Sequence, residues 1–187
     1  MINKMFKALI AGIAIALGGW AYLLAMDPIV GAVIFSCGLL TVRIYGLHLF
    51  TGKVQLMVTK ENPWYYYPLI LLSNFLGVVW ITCLSYNTVH DTALALAIAK
   101  SSQPLLVAFC KGAGCGMLMS LATYKDTPLW VTPLAVAAFI IAGFNHCIAD
   151  FYYMLTGGLI SWPLCMTILG NIFGGIILSR YLLKDER

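Results

Sequence analysis

Gly143-Phe144-Asn145-His146-Cys147-Ile148-Ala149-Asp150 places an imidazole and a carboxylate inside an otherwise apolar segment covering residues 131–155. An ionisable group at membrane depth is costly and marks a functional position by default. A related stretch, Gly46-Leu47-His48-Leu49-Phe50-Thr51, interrupts an earlier apolar segment. Each is followed by an Asn-x-x-Gly element, Asn74-Phe75-Leu76-Gly77 and Asn171-Ile172-Phe173-Gly174. Gly46 to Asn74 spans 28 positions, as does Gly143 to Asn171, and 97 positions separate the two copies. Breaks in apolar helices are tolerated where protein or a water-filled cavity satisfies the freed backbone. Two breaks at corresponding positions predict an inverted repeat with a permeation site between its halves. The expected fold is all-α and polytopic: six transmembrane helices as a 3+3 inverted repeat, with the second and fifth broken.

Working outward, composition agrees. Of 187 residues, 61% are hydrophobic and 10% charged, far below the roughly quarter charged share of soluble domains. Apolar runs near the ~20 residues a spanning helix needs predict spans at residues 7–26, 29–53, 64–85, 105–124, 130–155 and 162–183. They form one membrane domain over 1–187, with half-repeats at about 1–86 and 100–187. The first run is read as a span and not a cleaved leader, since five apolar segments follow it.

An even number of spans puts both termini on one side, with Lys4, Lys7, Lys60, Lys125, Arg180, Lys184 and Arg187. The positive-inside rule makes that side cytoplasmic, and Lys100 is the loop cation expected opposite. No basic tract suits nucleic acid. Six cysteines (Cys37, Cys83, Cys110, Cys115, Cys147, Cys165) lie in apolar spans without a CxxC pair, and read as small buried hydrophobes. Glycines at 112, 114, 116, 170, 174 and 175 predict close helix packing.

Four motifs in order carry a family resemblance across all six spans. Phe35-Ser36-Cys37-Gly38-Leu39 with Leu49-Phe50-Thr51-Gly52 resembles an "F-x-x-GL…LFTG" pattern. Lys100, Pro104 and Lys111-Gly112-Ala113-Gly114-Cys115 resemble "K-x-x-x-P…RG-x-x-C". The Gly143–Asp150 stretch resembles "GF-x-H-x-x-AN", and Gly170-Asn171 follows. Together they are similar to the formate/nitrite transporters. The resemblance implies an aquaporin-like fold in a bacterial plasma membrane. It also implies a homopentamer with one pore per subunit, no cofactor or metal, and transport of formate, nitrite or hydrosulfide.

By the same resemblance, Lys100 draws anions into the outer vestibule and Thr51 and His146 form the pore centre. Phe35, Leu39, Leu49, Phe50 and Phe139 form apolar constrictions, and Asn171 lies near the pore. A bare anion in such constrictions loses hydration worth several kcal/mol or more, whereas a neutral acid loses far less. His146 would supply a hydrogen bond or a proton to the arriving anion.

Several positions depart from the family pattern. Lys53 and Asp150 each replace an asparagine, and the offset of 97 makes them equivalent. A buried Lys53–Asp150 ion pair between the two halves is therefore expected. His48 replaces an acidic residue, Arg43 lies within the second span with either an interfacial or a pore role, and Gly116 replaces an asparagine. Two other classes remain open on the sequence: a relative that no longer transports, and a membrane redox protein with haem held by His48 and His146.

Overall fold

Glycine, proline and polar residues punctuate the apolar chain into separate helices in the protein's computed structural model, which describes residues 1–59 and 61–182. The helices are α1 (Ile2–Leu24), α2 (Pro28–Ile44), α3 (Phe50–Lys53), α4 (Tyr66–Ser101), α5 (Leu105–Thr123), α6 (Val131–Ile141), α7 (Cys147–Thr156) and α8 (Pro163–Leu182). A 3-10 helix, Val54–Val58, continues α3. No strand occurs among the described residues. Four helices, α1, α4, α5 and α8, are long and apolar enough to cross a membrane; α2 and α6 are shorter apolar helices. Residue 183, the expected end of the sixth span, lies outside the described residues, as do Lys60, Lys184 and Arg187.

Local chemistry sets the boundaries. Asp27 opens α2, its Oδ1 accepting from the N–H groups of Ile29 (2.8 Å) and Val30 (2.9 Å) ahead of Pro28 in the first turn. Gly46 ends α2 at φ +58° and Gly143 ends α6 at φ +66°. The hydrogen bonds there repeat residue for residue. Gly46 N–H reaches the Arg43 carbonyl (3.3 Å) and Leu47 N–H that of Val42 (2.9 Å); Gly143 reaches Ile140 (3.0 Å) and Phe144 reaches Phe139 (2.9 Å). This pairing satisfies the last carbonyls of each helix and requires a left-handed residue, which glycine adopts without penalty.

One boundary departs from expectation. The third segment was expected to end at residue 85, but α4 continues to Ser101. Polar residues between Ser85 and Asp91 lower the hydropathy there without breaking the helix. No glycine or proline intervenes before Pro104, and Ser85, Val89, Ala93 and Ala97 form a buried stripe at spacing four. The stripe packs on α7: Tyr152 O–H donates to Ser85 Oγ (2.8 Å), and Gly157 lies against the Ala93–Leu94 backbone. Lys100, expected in a loop, is therefore on the last turn of α4.

Small residues set the helix contacts. A Cβ on Gly12 or Gly77 would collide with the α4 or α1 backbone respectively, and one on Gly116 or Gly174 with the α8 or α5 backbone. The Gly116 environment has no room for the asparagine of the family pattern. Contacts of Gly12 with Asn74 and of Trp20 with Thr88 make α1 and α4 parallel, and Gly112 with Thr167 and Ser120 with Gly175 do the same for α5 and α8. Gly18 against Phe35 and Gly38 against Ala14 make α2 antiparallel to α1. The cysteines divide: Cys115 and Cys147 are buried as expected, whereas Cys37, Cys83, Cys110 and Cys165 face outward from the helix bundle; all six are free.

Candidate functional site

Two asparagines organise the centre. Asn74 Oδ1 accepts from the Phe50 N–H (2.8 Å), the first residue of α3, while its Nδ2 donates to the carbonyls of Ala8 (2.6 Å) and His48 (3.1 Å). Asn171 Oδ1 accepts from the Cys147 N–H (2.9 Å), the first residue of α7, while its Nδ2 donates to the carbonyls of Gly112 and Asn145 (both 2.8 Å). Each fully buried amide satisfies one N–H and one carbonyl that the chain reversal would strand in an apolar interior, and ties them to a carbonyl inside α1 or α5. Asn171, expected near the pore, spends its side chain on this task.

The interrupted segments bring Thr51 and His146 together. His146 precedes α7 as its N-cap, with Nδ1 accepting from the Ala149 N–H (3.3 Å). That bond leaves the ring proton on Nε2, which lies 2.9 Å from Thr51 Oγ1 and donates to it. Both groups are buried. Phe139 stacks on the imidazole (centroids 5.7 Å apart, planes at 21°), and Phe35 meets Phe139 edge-on at 6.0 Å. Leu39, Leu49 and Phe50 are buried in the same apolar cluster. With both its ring nitrogens engaged, His146 offers no lone pair to haem iron. Among the described residues no group of three or more His, Cys, Asp or Glu side chains converges.

A cavity opens toward each end of the bundle. One, about 210 Å³, is lined by Val42, Arg43, Leu49, Lys53, Thr123 and Lys125, at the ends of α2, α3 and α5. The other, about 190 Å³, includes Tyr22, Lys100, Phe139, His146, Asp150 and Tyr153 in its lining, beside the ends of α1 and α4. Because α1 and α4 run opposite to α2 and α5, the two lie at opposite ends. Leu49 borders the first, Phe139 the second, and the buried Phe35 ring packs on Phe139.

The expected Lys53–Asp150 pair does not form. Asp150 Oδ1 accepts from Lys100 Nζ at 2.8 Å, with the carboxylate 3% and the lysine side chain 13% exposed. Lys53 lines the opposite cavity, where the acidic group acting on it is Glu61. The reason is geometric. α3 and α7 both begin centrally and run outward to opposite ends, so equivalent positions beyond the centre diverge.

Three further residues take specific places. Arg43 is a clamp on the loop after α5: Nη1 donates to Thr132 Oγ1 (2.8 Å) and the Pro128 carbonyl (3.4 Å), and Nη2 to the carbonyls of Thr127 (2.6 Å) and Tyr124 (3.4 Å). One face of it still borders the first cavity. His48 borders neither cavity; its Nδ1 lies 2.8 Å from Tyr66 Oη. Asn145, adjacent to His146 but given no role from sequence, holds the second ion-pair partner: its Oδ1 accepts from Lys100 Nζ (2.9 Å) and its Nδ2 donates to Gln103 Oε1 (2.8 Å) and Thr167 Oγ1 (3.3 Å). Its position just before an N-cap residue, equivalent to His48 in the other half, was the available signal.

A family model described as formate/nitrite transporter matches residues 1–183. The nitrite transporter NirC of Salmonella typhimurium is 28% identical over 191 residues, spanning 82% of this chain and 69% of the relative. NirC of Escherichia coli is 29% identical over 67% of this chain, which there spans 55% of the relative's length. A solved pentameric formate channel with formate bound superposes with a TM-score of 0.78 at 21% identity, covering 100% of this chain and 98% of that one. At that identity the likeness concerns the fold.

Proposed function

The chain belongs to the formate/nitrite transporter family, and from that membership we propose that it passes small monovalent weak-acid anions across a membrane. Formate, nitrite and hydrosulfide are the substrate class. The chain is read as a six-span 3+3 inverted repeat in which α2 with α3, and α6 with α7, are the two broken spans. The repeated glycine ends and asparagine caps support that reading. The single observation that carries the function is two cavities entering from opposite ends toward a buried Thr51–His146 pair wrapped in Phe35, Leu39, Leu49, Phe50 and Phe139.

In this reading the apolar side chains reject a hydrated or bare anion, and a neutral acid crosses them at far lower cost. His146 donates Nε2–H to Thr51 Oγ1, so the hydroxyl proton of Thr51 is the donor turned toward an arriving anion, with Nε2–H available when the anion takes the place of that bond. Protonating Nδ1 as well would sever the bond from Ala149 N–H, so the resting ring acts as a donor and not as an acid. Lys53 and Arg43 supply positive potential to one cavity, and focusing by low-dielectric walls concentrates anions there. The oligomer is proposed to be a homopentamer, like the solved formate channel, in a bacterial plasma membrane.

The test is light scattering from proteoliposomes facing formate, nitrite or hydrosulfide gradients, with His146→Asn beside the wild type. Flux of one of these anions is expected, with at least a tenfold loss in His146→Asn. No flux of any of the three from folded oligomers overturns the reading.

A further inference from the structure

We propose that Asp150 is a proton acceptor that makes anion binding beside Lys100 electroneutral, a role that rests on the transport reading above. Lys100 and Asp150 are the charged side chains lining the 190 Å³ cavity, and they already neutralise each other at 2.8 Å. The rest of the lining is mainly apolar, with Leu96, Phe139, Ile140 and Phe144, and its uncharged polar members are Tyr22, Tyr153 and His146. An anion that takes Lys100 as counter-ion must share it with Asp150, leaving a net negative charge among apolar groups. Such a charge is strongly disfavoured where desolvation is not compensated. One proton on Asp150 removes the excess: the entering acid's O–H or S–H bond breaks, an O–H bond forms on Asp150, and the anion's lone pair accepts from Lys100 Nζ. The net event is uptake of one neutral acid.

The groups facing Asp150 are consistent with this. From α4 comes Lys100; from α1, Tyr22; from α5, Cys115 and Lys111; from α7 itself, His146, Cys147 and Tyr153. Lys111 stands outside the lining, its Nζ 3.9 Å from where a Cβ on Gly143 would be, and is a half-buried second cation acting on Asp150 from farther off than Lys100. His146 Nδ1 is committed to Ala149 N–H, which leaves the Asp150 carboxylate as the proton acceptor beside Lys100 in the lining. Asn145 holds the ammonium from a second direction, keeping Lys100 in place when the carboxylate is neutralised.

Infrared difference spectroscopy on the purified oligomer perfused with nitrite tests this, because nitrite has no carboxyl group of its own. A protonated-carboxyl band is expected to grow with nitrite. The half-saturating concentration is expected to rise about tenfold per pH unit wherever Asp150 is ionised in the free protein and protonated in the complex, the slope for uptake of one proton. Asp150→Asn should abolish both band and slope. Should Asp150→Asn fold poorly with Lys100 left unpaired, Lys100→Met/Asp150→Asn removes both charges, and it too should lack the band and the slope. A wild type that passes nitrite in liposomes but shows no band, or a slope that survives in Asp150→Asn, overturns the proton assignment alone. A folded wild type with neither a nitrite response nor flux overturns the transport reading with it.

Discussion

Asp150 lies in the first turn of α7 against Lys100, while Lys53 ends α3 at the other end of the bundle. A double-mutant cycle separates the two partnerships. For Lys100 and Asp150, loss of one partner strands a buried charge at about 3–5 kcal/mol, and the second substitution recovers much of it. Thermal unfolding of Lys100→Met, Asp150→Asn and the double variant is expected to show coupling of about 3 kcal/mol or more. The matching cycle with Lys53→Asn is expected to show coupling within roughly 0.5 kcal/mol of zero. Coupling of Asp150 to Lys53 as large as to Lys100 would refute the pairing described here. The sequence made both substitutions legible as departures and made their equivalence legible as an offset of 97. It could not reveal that inverted equivalence carries positions beyond the centre to opposite ends. Nor could Lys100 be recognised as the partner while the helix bearing it was expected to stop at residue 85.

At the scale of elements, two short helices inserted into an apolar interior depend on their caps. Asn74 and Asn171 each satisfy one N–H and one carbonyl of a chain reversal and bond a further carbonyl inside α1 or α5, and among the described residues no other side chain takes those N–H groups. Asn74→Ala or Asn171→Ala is expected to cost about 3 kcal/mol or more, since each buried group left unmatched costs about 1–3 kcal/mol. Oligomer yield and thermal unfolding in detergent would check it, and a loss below 1 kcal/mol would mean other groups take over. Gly46→Ala offers a milder contrast. Nothing lies within 4 Å of an added Cβ, so its expected cost is the left-handed backbone alone, roughly 1–2 kcal/mol. The turns and caps were legible because the 28-residue interval from glycine to asparagine recurs. The length of α4 was not, because its polar turn resembles a loop in hydropathy while its small and branched residues pack on α7 at spacing four.

Across the whole molecule, the parallel pairs α1/α4 and α5/α8 fix which charges share an end. Lys4 donates to Asn62 Oδ1 (3.0 Å) beside the start of α4, and its Nζ lies over the Tyr66 ring at 5.3 Å. Lys7 is one turn further along α1, and Lys53 and Lys125 line the cavity at that same end. Arg180 joins them, because α8 runs parallel to α5 and α5 finishes there. Lys100 and Lys111 are nearer the other end, and Lys100 is neutralised by Asp150. By the positive-inside rule, the resulting bias in lysine and arginine predicts that the Lys4 end is cytoplasmic. Single cysteines placed at Asn3 and at Ser102, in a chain whose own outward cysteines are replaced, would report the orientation. A membrane-impermeant maleimide added to intact cells is expected to label the Ser102 position and spare the Asn3 position. Labelling of Asn3 alone would invert the assignment. The cavity holding Arg43 and Lys53 would then be the outer vestibule, and the neutralised Lys100–Asp150 cavity would face the cell interior.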